Sequence, residues 1–162
     1  GKSYRIGVEL AVSWQPLKWL KWSPNVAYIQ SQNLDYIEES ANGDVKSLGS
    51  TAIAYSPNTV FSSTLEFYPA KGVTLVVFSQ YVSRQYLNNS QVDRLSLDPY
   101  FLNSIRVAYD LRPSWIGKIR LYASVNNVFN AMYANNGYVW GATPYYYPQA
   151  GINFLGGVEV SF

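Results

Sequence analysis

Residues 4 to 14 alternate without a break, with Tyr4, Ile6, Val8, Leu10, Val12 and Trp14 on one parity and Arg5, Gly7, Glu9, Ala11 and Ser13 on the other. A period of two marks a β-strand whose faces meet different surroundings. If the second parity met lipid, Arg5 and Glu9 would do so too, at roughly 2–4 kcal/mol for a basic residue near the midplane and less for the acid. The aliphatic parity is therefore the outer one. At ~3.3 Å per residue the run spans about 33 Å, and a tilt of ~40° leaves about 25 Å of height, the apolar band of an outer-membrane barrel. Tyr4 and Trp14 then stand at the two edges of that band.

The plan recurs along the chain. Strands are expected from about Leu20 to Gln30, up to Tyr68, from Val73 to Tyr86, over Tyr100–Leu111 and Ile116–Asn127, and over a last run ending at Phe162. Short connections at Gln15–Lys18, Pro69–Gly72 and Arg112–Ser114 alternate with long segments at Ser31–Gly49, Leu87–Asp98 and Asn130–Tyr146. Tight Pro- and Gly-bearing turns at one end and long polar loops at the other are the pattern of outer-membrane barrels, whose short turns face the periplasm. Trp14, Trp22, Trp115 and Phe162 fall near the short-turn end and are expected in the inner aromatic girdle, with Tyr4 at the opposite edge.

The final run places Phe162, Val160, Val158, Gly156, Phe154 and Ile152 on one parity against Ser161, Glu159 and Asn153 on the other. Counting back from it gives about seven strands, which sets Gly1 near the extracellular rim. Bacterial single-chain barrels have even strand numbers, and an open strand edge in lipid is untenable. The expected fold class is thus all-β, a transmembrane antiparallel up-and-down β-barrel, with residues 1–162 as about seven C-terminal strands of a larger barrel. Val73–Phe78 is apolar on both parities, so its facing is open; Val76 or Phe78 pointing inward suits a plugged lumen better than a water-filled pore. An antiparallel sandwich also alternates, but strands of ten or more residues exceed its usual ~5–6.

Composition sharpens this picture. Charged residues make up 14% of the chain, well below the ~25% of soluble domains. Aromatics reach 17%, and no apolar run approaches the ~18 residues of a membrane helix, so membrane residence must use strands. Net charge is +2 with no basic stripe, which gives nucleic-acid binding no support. The segment opens Gly1-Lys2-Ser3-Tyr4, with neither initiator Met nor signal-like run, so either a signal has been removed or this is an internal start.

His and Cys are both absent, which removes most nucleophile–base pairs and most transition-metal sites, and no Gly-x-Ser-x-Gly elbow appears. No catalysis, cofactor or metal is expected from these residues. The densest acidic group, Asp35, Glu38, Glu39 and Asp44, matches no calcium-loop spacing and reads as a solvated loop, with a hard-cation or cationic-ligand site as the alternative. Tyr138, Trp140, Tyr145, Tyr146 and Tyr147 either pack within the loop and outer girdle or stack on a sugar or chelate ring. Arg84 and Gln85 either reach ligand or lipopolysaccharide phosphate, or Arg84 forms an intrabarrel ion pair with Glu9 or another lumen carboxylate.

Three stretches carry a resemblance. Gln80-Tyr81-Val82-Ser83-Arg84-Gln85-Tyr86-Leu87, Val125-Asn126-Asn127-Val128-Phe129-Asn130 with Tyr133, and Tyr147-Pro148-Gln149-Ala150-Gly151-Ile152-Asn153-Phe154 running into Phe162 stand in order before the terminus. Together they resemble the end of a TonB-dependent outer-membrane receptor, especially as written in Bacteroidetes. Val128 stands where that family usually has Leu, and Ile152 where it commonly has Arg. The resemblance covers about Tyr55 to Phe162 and implies a 22-stranded barrel holding an N-terminal plug, with this chain as its last third.

It further implies active import of a scarce nutrient such as a ferric siderophore, haem, cobalamin, a peptide or an oligosaccharide. The implied partners are the rest of the barrel and plug, TonB with ExbB and ExbD, the barrel assembly machinery, lipopolysaccharide, and a surface lipoprotein lid in the SusC-type branch. By the same resemblance Phe162, Val160, Val158 and Gly156 form the assembly signal, read by strand addition. A non-transporting adhesin or structural barrel and a passive porin are the other classes left open.

Overall fold

The computed structural model describes residues 1–39, 42–115 and 117–162. Ser40 and Ala41, in the first expected loop, and Ile116, the expected start of a strand, lie outside the described residues. Strands β1 (Lys2–Ala11) and β2 (Trp14–Leu17) lead into a tight turn, and β3 (Leu20–Glu39) returns antiparallel to both. β4 (Val45–Ala52) folds back on the far half of β3, and β5 (Thr59–Phe67) pairs with its near half. Then come β6 (Val73–Val82), the short β7 (Gln85–Tyr86), a single 3-10 turn at Asp93–Leu95, β8 (Ser96–Leu97) and β9 (Tyr100–Leu111). β10 (Lys118–Asn126), a ribbon of β11 (Ala134–Trp140) and β12 (Thr143–Pro148), and β13 (Asn153–Ser161) follow.

Seven of these strands run in the order β1-β3-β5-β6-β9-β10-β13 as an antiparallel meander, with β2 and β4 beside β3. This is the up-and-down order expected, as an open portion of a barrel wall: among the described residues β1 pairs only with β3, and β13 only with β10. The register carries one face across the whole sheet. Val8 lies opposite Tyr28, Val26 opposite Phe61, Leu65 opposite Val77, Val77 opposite Ile105, Val107 opposite Ala123, and Leu121 opposite Val158. Because paired residues share a face, this apolar surface is continuous from the first strand to the last.

The opposite face carries Glu9, Lys21, Glu66, Arg106, Asp110, Lys118, Arg120 and Glu159 through the same register. Val76 is paired with Glu66 and Arg106, and Phe78 with Thr64 and Ser104, so both stand on this inner face. That settles the facing of Val73–Phe78. Some polar residues on the outer face pair with one another: Trp22 Nε1 donates to Ser63 Oγ at 2.9 Å, and Ser79 Oγ donates to Asn103 Oδ1 at 2.6 Å, although Asn103 Nδ2 is buried without a partner among the described residues.

The expected loop Ser31–Gly49 is largely a ribbon, since β3 runs on to Glu39 and β4 begins at Val45. Ladder hydrogen bonds hold it without an apolar face, so hydrophobic alternation could not reveal it. The expected strand Val73–Tyr86 breaks after Val82, and the loop Asn130–Tyr146 contains most of the β11–β12 ribbon. Leu87–Asp98 was expected as a polar stretch, yet Leu87, Leu95 and Leu97 are buried there, with Leu97 only 1% exposed.

Candidate functional site

Two surfaces carry chemistry: the inner face near the tight turns, and the clustered connections at the other end. On the inner face Asp110 of β9 accepts from Arg120 Nε at 2.6 Å on Oδ1 and from Nη2 at 3.0 Å on Oδ2, and Lys118 Nζ lies 3.2 Å from the same Oδ2. The register produces this, because Asp110 is directly opposite Arg120. Nearby, Glu66 meets Lys21 Nζ at 3.2 Å and accepts from Tyr68 Oη at 2.6 Å. Glu9 accepts from Asn25 Nδ2 at 2.9 Å, and Arg5 donates to Ser31 Oγ and Ser56 Oγ.

Arg106 is the exception. Its guanidinium sits 4.4 Å from the ring centroid of Tyr122, and among the described residues it has no hydrogen-bond or ion-pair partner. Arg106, Arg120, Glu66, Tyr68, Thr74 and Val76 border a cavity of about 320 Å³ on the wall. Farther from the tight turns the inner face mixes apolar and polar residues: Val60 lies opposite Val82 and Leu155 has the same parity as Gly157 and Glu159, while Arg5 lies opposite Ser31, Ser62 opposite Gln80 and Asn126 opposite Asn153.

At the other end the connections pack into a cap. Leu87, Leu95 and Leu97 are buried beneath it, Leu87 N donates to Leu95 O at 2.8 Å, and Ser96 Oγ donates to Asp93 O at 2.6 Å. Tyr55 Oη donates to Gly137 O at 3.0 Å and Tyr146 Oη to Arg94 O at 3.3 Å, which ties the β11–β12 ribbon to the cap. Asn89 and Gln91 accept from the backbone N–H groups of Ala54 and Ala52. Buried turns need such side-chain partners for their main-chain groups.

The structure sorts the residues singled out in the sequence. Arg84 pairs with Asp93 at 3.2 Å rather than with Glu9, and Gln85 is half-buried opposite Leu97. Tyr138 stacks on Tyr145 at 5.1 Å and lies opposite it; Trp140 is on the same ribbon face, whereas Tyr146 has the opposite parity. Trp14 is directly opposite Trp22, Trp115 is 78% exposed, and Phe162 is fully exposed. Trp19, which the alternation missed, stacks on Phe67 at 6.5 Å beside them. Tyr4 Oη donates to Gln32 Oε1 at 3.1 Å.

Val160, Val158 and Gly156 share the outer face of β13, which pairs on one side only. Asp35 takes a positive φ of 56° in β3, and Glu38 lies opposite Lys46. Among the described residues no three potential ligands converge to hold a metal ion.

A family model described as TonB dependent receptor-like, beta-barrel matches residues 1–128. No curated protein matches the chain. Among solved structures, the siderophore receptor PiuA from Acinetobacter baumannii aligns over 96% of this chain and 21% of its own, with a TM-score of 0.79 at 14% identity. The ferric yersiniabactin uptake receptor FyuA from Yersinia pestis aligns over 96% and 23%, with a TM-score of 0.70 at 16% identity. The copper transporter OprC aligns over 99% and 24%, with a TM-score of 0.67 at 19% identity. At these identities the likeness is one of fold, and the chain spans about a fifth to a quarter of the length of each structure.

Proposed function

The chain belongs to the TonB-dependent receptor-like β-barrel family, and from that premise we propose that it forms the C-terminal wall of an outer-membrane transporter that imports a scarce nutrient. The observation that carries the reading is the two-faced register: one largely apolar face running from Val8 to Val158, and one face charged near the tight turns and mixed polar and apolar beyond them. Lipid suits the first. A lumen filled by a folded plug suits the second, because Val76 and Phe78 on the inner face would stand bare in a water-filled pore.

The proposed work is gating rather than bond breaking. Ligand binds to plug and loops, and TonB, driven through ExbB and ExbD, remodels the plug. A ferric siderophore is the favoured cargo, since PiuA is a siderophore receptor and FyuA a ferric yersiniabactin uptake receptor. In this reading Trp14, Trp22, Trp115 and Phe162 anchor the wall at the inner interface and Tyr4 at the outer one. Trp140 and Tyr145, on the exposed ribbon face, are the better placed ligand contacts; Arg84, Gln85 and Tyr146 shape the cap they stand on. Phe162, Val160, Val158 and Gly156 are proposed as the strand end that the assembly machinery reads by strand addition.

The test is uptake of labelled ferric siderophores by cells carrying or lacking the full receptor, with and without a proton uncoupler. Receptor-dependent accumulation abolished by the uncoupler is the expected result. Accumulation that survives uncoupling makes the protein a passive porin, and none with any chelate rejects the siderophore cargo and leaves another nutrient or a non-transporting barrel.

A further inference from the structure

We propose that Arg106 is the centre of a carboxylate-binding site on the inner wall; this rests on the reading of that face as lining an occupied lumen. Every other cation placed on this face has acceptors of its own. Lys21 has Glu66, Lys118 and Arg120 have Asp110, and Arg5 has two Ser hydroxyls. Among the described residues Arg106 has only the Tyr122 ring beneath it, at 4.4 Å. Such stacking engages the face of the guanidinium and leaves its in-plane N–H donors free.

The stack is also pre-set. Tyr122 is paired with Gly157, where even a β-carbon would come within 2.5 Å of its Oη, so only glycine leaves the ring this position. An oriented guanidinium with a free edge is matched by the two oxygens of a carboxylate. The cavity of about 320 Å³ in front of it is at the lower limit of small-molecule sites (~300 Å³), room for one acidic side chain or a small organic acid. Charge favours an anion there, because the two other ionised groups at its rim, Glu66 and Arg120, are already paired. The carboxylate comes either from an acidic side chain of the polypeptide inside the barrel or from a diffusible acid.

Arginine-selective modification by phenylglyoxal, read by peptide mass spectrometry on the full-length receptor in detergent, separates the cases. A charged hydrogen-bonded pair should slow Arg106 by about tenfold or more relative to Arg112, which lies in an exposed turn. If the acid is intramolecular, protection is present without additive and is lost at about 1 M NaCl, where the Debye length is ~3 Å. If it is diffusible, Arg106 reacts freely until acetate is added. In both cases Tyr122→Leu weakens the protection. Arg106 reacting as fast as Arg112 with and without acetate overturns the site, as does protection indifferent to both salt and Tyr122→Leu, which would be plain burial. Import is judged by uptake, which this chemistry does not read, so the two proposals fail separately.

Discussion

Tyr122 lies over Gly157, its directly paired neighbour on the next strand: a β-carbon built at Gly157 would stand 2.5 Å from Tyr122 Oη and 2.6 Å from its Cζ. Gly157→Ala therefore pushes the ring aside. Overpacking of this kind costs roughly 1–3 kcal/mol, and the low end is expected because a side-chain tip can swing where a backbone cannot. The thermal unfolding midpoint of the receptor should fall, and the double variant with Tyr122→Leu should regain most of the loss. A non-additive recovery of this sort is what direct contact predicts; additive losses would show the two residues acting independently.

Val77 and Thr64 are neighbours across β5 and β6 on opposite faces, and an arginine at each should have opposite consequences. Val77→Arg places the charge on the lipid side, at roughly 2–4 kcal/mol near the midplane, whereas Thr64→Arg adds a charge to a wall that already holds several. Denaturant unfolding in a bilayer-mimetic solvent reads both. Equal tolerance at the two sites would contradict the assignment of the faces.

Much of this wall was legible in the sequence because alternation over ten residues can be satisfied in only one register when one face meets lipid. The strand order, the tight turns and the outer position of Ile6, Val8 and Leu10 all follow from that constraint. What escaped was structure held by other forces. The β3–β4 ribbon keeps its ladder without burying a face, and the cap around Leu97 is built by hydrogen bonds from Tyr55, Asn89 and Gln91, whose sequence distances carry no periodic signal. The pairing of Asp110 with Arg120 was hidden for a related reason: it depends on the turn between β9 and β10 fixing which residue faces which.

That ion cluster makes a salt-dependent prediction. Asp110→Asn removes the carboxylate that accepts from Arg120 at 2.6 Å and 3.0 Å and draws Lys118 to 3.2 Å, leaving Arg106, Lys118 and Arg120 to repel one another. The unfolding midpoint should drop at low ionic strength, and the deficit should shrink toward about 1 M salt, where screening acts within ~3 Å. Lys118→Gln added to the variant should recover part of the loss. A deficit unchanged by salt would mean that Asp110 acts through shape and not charge.

Phe162 and its strand make the assembly prediction. Phe162→Ser or its deletion should lower the amount of receptor reaching the outer membrane sharply while leaving synthesis unchanged, as measured by membrane fractionation against total protein. Among the described residues the ring of Phe162 is fully exposed, and the unfolding midpoint measured beside the yield separates the two causes: a fall in yield at an unchanged midpoint reports recognition and not stability. Normal surface levels of the variant would remove the role assigned to this strand end.

Leu97 tests whether the cap is a unit separate from the wall. It is 1% exposed and sits in β8, paired only with the two-residue β7. Leu97→Ala should cost about 2–5 kcal/mol locally, the range for emptying a packed site. The cap contributes no strand to the main sheet, so this loss should appear as local opening and not as unfolding of the wall. Limited proteolysis should then cut between residues 83 and 99 and within the β11–β12 ribbon, whose ties run through Tyr55 and Tyr146, while the β-sheet melting temperature stays put. If the wall melts together with the cap, the two are one cooperative body, and the ligand contacts proposed on the ribbon would be coupled directly to the barrel.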